Sequence, residues 1–186
     1  VSLAAATDPA RILATAPTFE QYLAGVVRNR DLWHGLWTRT VLPAWAREAA
    51  APLRDPVHLL AISADWCGDA VNSLPWVARL AEASPALDLR VVERDDHPAL
   101  MDTHLTGASR SIPVVIAYDA DVREQGWWGP RPEVLQAWVL GEGPGEGKSF
   151  RPDERYARVR RWYARDRGES ILREILDMVG VPVPTP

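Results

Sequence analysis

The sequence contains a single cysteine, Cys67, in 186 residues. A disulfide within the chain is therefore excluded, so stability has to come from packing, and the composition suits a reducing compartment. Long hydrophobic runs are also missing: nothing approaches the length of a transmembrane helix, and the Ala-rich start, Val1 to Ala16, has no basic stretch leading into an apolar run. A cytoplasmic location without a membrane partner is the expectation. Charge of one sign is scarce, with a formal net charge of −4, too mild to imply a nucleic-acid partner for the chain as a whole. Residues 151–167 do hold seven arginines against Asp153, Glu154 and Asp166. Those arginines interleave with Tyr156, Val159, Trp162 and Tyr163 at helical spacing, as on the wet face of a packed helix. His34, His58, His97 and His104 show no metal-ligand spacing with Cys67 or with one another, so no metal is expected.

What is abundant is apolar and aromatic. Residues of the apolar class make up 47% of the chain, and there are nine tryptophans, most at helical spacing or at the ends of apolar runs, where they serve as bulky core fillers. The length suits one domain with a sizeable core. In its N-terminal part, Thr18 and Gln21 form a capping-box pattern ahead of Phe19, Tyr22, Leu23, Val26 and Val27 on one helical face. Trp33, Leu36, Trp37 and Val41 continue the helical period until Pro43 breaks it. Residues 1–55 thus read as a helical N-terminal extension.

The pattern changes at Val57 to Ile62, a short, nearly continuous apolar run that reads as a buried strand. Cys67 to about Ala83 reads as a helix despite Pro75, Leu87 to Val91 as a second strand, and His97 to Leu105 as a short helix. Ile112 to Tyr118 and Val122 to Trp128 then read as a hairpin around Asp119-Ala120-Asp121, followed by a helix from about Pro132 to Leu140 that ends at Gly141. The order is βαβαββα over residues 56–141, an α/β class with a mixed sheet, and strand–helix–strand implies a parallel crossover. Residues 142–186 read as a Gly-rich linker, an amphipathic C-terminal helix interrupted near Gly168 and packed on the core, and a Pro-rich end.

Trp66-Cys67-Gly68-Asp69-Ala70 stands at the turn from the first strand into the first helix of this core. With Pro75 inside that helix, Asp95-Asp96-His97-Pro98 before the next, and Arg110-Ser111-Ile112-Pro113 ahead of the third strand, the chain resembles the thioredoxin family over residues 56–141. It is most similar to a bacterial branch with Trp-Cys-Gly-Asp-Cys, a Ser-Ile-Pro loop and a Trp-Gly-x-Arg-Pro segment, the last matched by Trp128 to Pro132. The branch's second cysteine is Ala70 here, and the buried aspartate that thioredoxins commonly carry six residues before the first cysteine is Ala61.

The resemblance implies that Cys67 is the nucleophile of thiol–disulfide exchange. Trp66, Gly68, Asp69, Ser111, Ile112 and Pro113 would bind substrate, with Pro113 as the family's cis-proline. A protein disulfide or a low-molecular-weight thiol such as glutathione would be the partner, and no cofactor is implied. Without a second cysteine, an external thiol has to resolve the mixed disulfide. The residues also allow a thioredoxin-like binding module that has given up chemistry, or a parent dithiol protein whose second cysteine Ala70 replaces. A cysteine at a helix N-terminus gains from unpaired N–H groups and the helix dipole, whereas Asp65 and Asp69 oppose its ionisation, so the direction of its pKa stays open. Asp69 has two roles available, a first-turn acid complementing the dipole or a group in the chemistry. Arg110 and Arg131 are further candidates for anion or peptide recognition.

Overall fold

The computed structural model describes residues 7–141 and 149–183. Among them, four helices precede the sheet: α1 (Pro9–Thr15), α2 (Phe19–Gly25), α3 (Arg30–Arg39) and α4 (Ala44–Ala50). The capping box forms as expected, since Thr18 Oγ1 accepts the Gln21 N–H at 3.3 Å while Gln21 Oε1 accepts the Thr18 N–H at 2.9 Å. Two residues leave the expected apolar face. α2 ends at Gly25 and Val26 is extended; Val26 is buried and Val27 is 80% exposed. Thr40 likewise leaves α3, its hydroxyl donating to the Leu36 carbonyl, which turns Val41 outward and Leu42 inward.

The sheet comprises β1 (Val57–Ser63), β2 (Leu87–Glu93), β3 (Val114–Tyr118) and β4 (Glu124–Trp128), in the order β2-β1-β3-β4. β1 and β2 are parallel, joined by helix α5 (Gly68–Glu82), and the other two pairings are antiparallel. β3 is buried along its whole length, and Leu59 to Ile62 of β1 are fully covered, which is why both read as unbroken apolar runs. This is the expected α/β arrangement, a mixed sheet flanked by helices with helical extensions at both ends. The Asp119 turn of the hairpin is locked by the Asp119 carboxylate, which accepts the N–H groups of Asp121 and Arg123.

Helix α6 (Pro98–Met101) is shorter than the expected His97 to Leu105. Its last turn is taken over by side chains: the Thr103 hydroxyl donates to the Leu100 carbonyl at 2.7 Å, and His104 Nδ1 lies 3.1 Å from the same oxygen. Pro132 caps α7 (Glu133–Leu140) rather than lying in its first turn, and Gly141 closes it. The C-terminal amphipathic stretch is two helices, α8 (Pro152–Asp166) and α9 (Glu169–Met178), separated where Arg167 and Gly168 adopt left-handed backbone. Gly168 is required there twice over, by its φ of +78° and because a Cβ would overlap the Trp76 indole. The buried face of α9, Ile171, Leu172, Ile175 and Leu176, packs over α5 and β4. Most of the Gly-rich linker, residues 142–148, lies outside the described residues.

Candidate active site

β1 delivers the chain to a tight turn, Ala64 to Cys67, and Cys67 becomes the N-cap of α5. Its backbone is extended, and its sulfur accepts the Ala70 N–H at 3.5 Å. The thiol donates in turn to the Ile112 carbonyl at 3.3 Å, and Cys67 is only 7% exposed. Ile112 and Pro113, joined by a cis peptide bond, thus lie against the cysteine, with Ile112 buried and Ser111 half-buried beside them. Gly68 is exposed at the first position of the helix. Trp66 is the exposed aromatic of the turn, with the Arg94 guanidinium 4.9 Å from its ring centroid. Arg94 also reaches the Arg110 carbonyl.

Two carboxylates flank the cysteine and are fixed by opposite ends of the chain. Asp65 accepts the backbone N–H groups of Val27 and Arg28 at 3.0 and 2.7 Å, and its carbonyl accepts the Trp33 indole N–H at 2.9 Å. The N-terminal extension is thereby bolted to the Cys67 turn. Asp69 pairs with Arg131 at 2.6 Å and accepts the Tyr163 hydroxyl of α8 at 3.1 Å. Arg131 continues to Gln136 at 2.9 Å, and its buried Nε is without a partner.

The segment carrying Arg131 is itself pinned. Glu174 of α9 accepts the Trp128 indole N–H at 2.6 Å and the Glu133 N–H at 2.9 Å, holding both ends of Trp128 to Pro132. Between them Gly129, at φ +126°, backs directly onto the Pro113 carbonyl, where any Cβ would overlap it. The Gly129–Pro130 peptide is also cis. A family model described as Thioredoxin matches residues 16–151.

The chain belongs to the thioredoxin family.

Two solved structures share its fold. A protein of unknown function from Pseudomonas aeruginosa superposes with a TM-score of 0.68 at 17% identity, over 92% of this chain and 96% of that one. An HIV epitope-scaffold gives 0.67 at 15% identity over the same shares. No curated protein matches the sequence.

In this thioredoxin-family site the open question of the Cys67 pKa resolves upward. Burial is the main cause. The Ala70 N–H opposes it, the Asp69 carboxylate adds to it, and Arg131 partly relieves it. The Asp69 carboxyl is also pushed up by burial, with Arg131 and Tyr163 working against the shift. Helix-terminal N–H groups therefore act as expected and are outweighed. Ala61 and Ala70 are both fully buried, and neither brings a polar side chain to the sulfur.

Of the expected site residues, Trp66 lies on the turn, Gly68 and Asp69 in the first turn of α5, and Ser111, Ile112 and Pro113 on the loop facing them. Arg131 is brought to the site but turned inward onto Asp69, while Arg110 is exposed and forms a two-pronged pair with Asp102 at 2.6 and 2.7 Å. Tyr163 is the residue that sequence reasoning misses, read there only as one of the residues interleaved with the arginines at helical spacing. Its hydroxyl is no distinguishing signal, because Tyr156 carries the same group in the same stretch and is exposed. Among the described residues no group of three His, Cys, Asp or Glu side chains could hold a metal ion, and no helix is long and apolar enough to cross a membrane. A cavity of about 490 Å³ opens at the other end of the sheet beside Asp55, Val57, Asp119 and Met178. Its lining has no cysteine, hydroxyl or amine side chain, and the Asp119 carboxylate on its wall is already bonded to the hairpin turn.

Proposed function

We propose that this protein is a single-cysteine thiol–disulfide exchange protein working in a reducing compartment, of the branch marked by Trp-Cys-Gly-Asp, Ser-Ile-Pro and Trp-Gly-x-Arg-Pro. The observation that carries the proposal is the sulfur of Cys67 at the N-terminus of α5, touching the carbonyl that precedes Pro113. In the first step the Cys67 thiol loses its proton and the thiolate attacks one sulfur of a disulfide. A Cys67–substrate S–S bond forms, the original S–S bond breaks, and its electron pair leaves on the other sulfur, which takes up a proton. An external thiolate such as glutathione then attacks the mixed disulfide and releases Cys67 as thiolate, so Cys67 ends in the oxidation state in which it began. Trp66 and the Ser111 to Pro113 loop border the path along which an extended disulfide-bearing peptide would lie.

Incubation with oxidised glutathione, followed by mass measurement of the intact chain, should show one glutathionyl group on Cys67, forming faster as pH is raised from 7 to 9. No adduct at Cys67 over that range would remove the proposal. The thiol's burial and its bond to the Ile112 carbonyl favour a second reading, a peptide-binding module without chemistry. That module would bind extended peptides equally well after Cys67→Ala. If Ala70 stands in place of a parent's resolving cysteine, Ala70→Cys should confer dithiothreitol-driven insulin reduction; a revertant that folds but leaves insulin intact would count against that origin.

A further inference from the structure

The elements packed around Cys67 bring few charges to it. The turn before it carries Asp65, already committed to the N–H groups of Val27 and Arg28. From α2 comes Tyr22, whose hydroxyl is bonded to Ser63 at 3.1 Å. From α5 comes Asp69, from the loop after β4 comes Arg131, and from α8 comes the Tyr163 hydroxyl. The side chains of Asp69 and Arg131 are 13% and 20% exposed, so the pair is largely shielded from water.

Charge counting in such a place is restrictive. Thiolate, carboxylate and guanidinium together carry −1, whereas either acid protonated gives zero, and a buried uncompensated charge is costly. Arg131 favours the ionised form of both Cys67 and Asp69, but it is one cation facing two acids.

We propose that Cys67 and Asp69 share a single proton against the one guanidinium of Arg131, so that Asp69, clamped by Arg131 and Tyr163, is the positioning residue that sets when Cys67 becomes a thiolate. The coupling acts through space and requires no direct transfer between the two acids, and their titrations belong to the pair. It deepens the exchange reading, resting on Cys67 as the nucleophile there, and gives the family's missing buried acid at Ala61 a counterpart on the other side of the cysteine.

The test is the rate of iodoacetamide alkylation of Cys67 in the intact folded chain between pH 6 and 10. Asp69→Asn should lower the midpoint of the profile by about one pH unit or more and raise the rate at pH 7 about tenfold. Arg131→Gln should move the midpoint the other way, and Arg131→Lys should restore it. A midpoint unchanged or raised in Asp69→Asn overturns the proposal, as does one unchanged in a folded Arg131→Gln. Should Asp69→Asn fail to fold, the carboxyl ¹³C shift of Asp69 in the unaltered chain decides. It should show a second inflection where Cys67 titrates, absent in Cys67→Ser, and a single inflection in the unaltered chain would end the idea. Alkylation needs no disulfide, so a chain that shows this ordering yet forms no glutathione adduct would lose the exchange reading and keep the coupling. The reverse result would do the opposite.

Discussion

The two arginines expected near Cys67 each pair with an aspartate at 2.6 Å, yet the two pairs live in different media. Arg131 and Asp69 are 20% and 13% exposed, whereas Arg110 and Asp102 are each about half exposed. Equal geometry therefore says little about dependence. In water, the charges of Arg110 and Asp102 are largely hydrated with or without each other, and salt screens what attraction remains. Inside, each member of the Asp69–Arg131 pair is present only because the other offsets its desolvation. One pair decorates a loop; the other is a condition of the fold.

The largest effect that would sharpen this contrast is Arg131→Met, which strands the Asp69 carboxyl in a buried place. Urea unfolding at pH 7 should register a loss of about 3 kcal/mol. A loss below about 1 kcal/mol would mean the carboxyl simply neutralises there at little cost, and the contrast would collapse. Next in size is the pH dependence of stability on the buried flank. The unfolded thiol ionises near its ordinary value of about 8.5, whereas folded Cys67 holds its proton to higher pH because it is buried and faces Asp69. Between those two values the folded chain binds more protons than the unfolded one. Stability should therefore fall as pH rises, by up to about 1.4 kcal/mol per pH unit. Cys67→Ser should flatten the curve from pH 8.5 upward until the ordinary tyrosine range is reached, where Tyr118, raised to about 12 by burial, and Tyr22 and Tyr163, also raised by burial, start a further decline. An unchanged curve in Cys67→Ser would mean that the sulfur titrates alike in both states. The smallest effect is Arg110→Gln, which should leave the melting temperature unchanged within error in 0.15 M salt. A clear drop would show that the 110–113 loop leans on its ion pair after all.

How much of this was legible in the sequence follows the range of the interactions. The capping box of α2, the buried strands β1 and β3 and the Cys67 turn are set by neighbours within a few residues, and each emerged from periodicity or motif. Helix ends decided by one side chain against one carbonyl were not legible. Thr40 ending α3 and Thr103 shortening α6 act through bonds that leave the hydrophobic period untouched. At the site, the motif picked out Cys67 and the loop opposite it. It gave no hint that Asp69 would meet Tyr163, which lies 94 residues further on, because nothing in local spacing encodes which hydroxyl of a distant helix arrives beside which acid. The pKa of Cys67 was undecidable for a related reason. Helix N–H groups and flanking acids can be read from sequence, but the dominant influence, burial, comes from the whole assembly.

The fastening of the Cys67 turn and the helix it starts to both ends of the chain also has a temporal side. A ribosome releases Asp65 with the N-terminal extension already made, so the bonds to Val27 and Arg28 can close early. The clamp from Tyr163 closes only after nearly a hundred further residues have been translated, several seconds later even at an elongation speed of about 20 residues per second. For that interval the nascent thiol is without its finished surroundings. Its affinity for protons and its exposure to passing disulfides are those of an unfinished protein, and the completed C-terminal helices are what end that window.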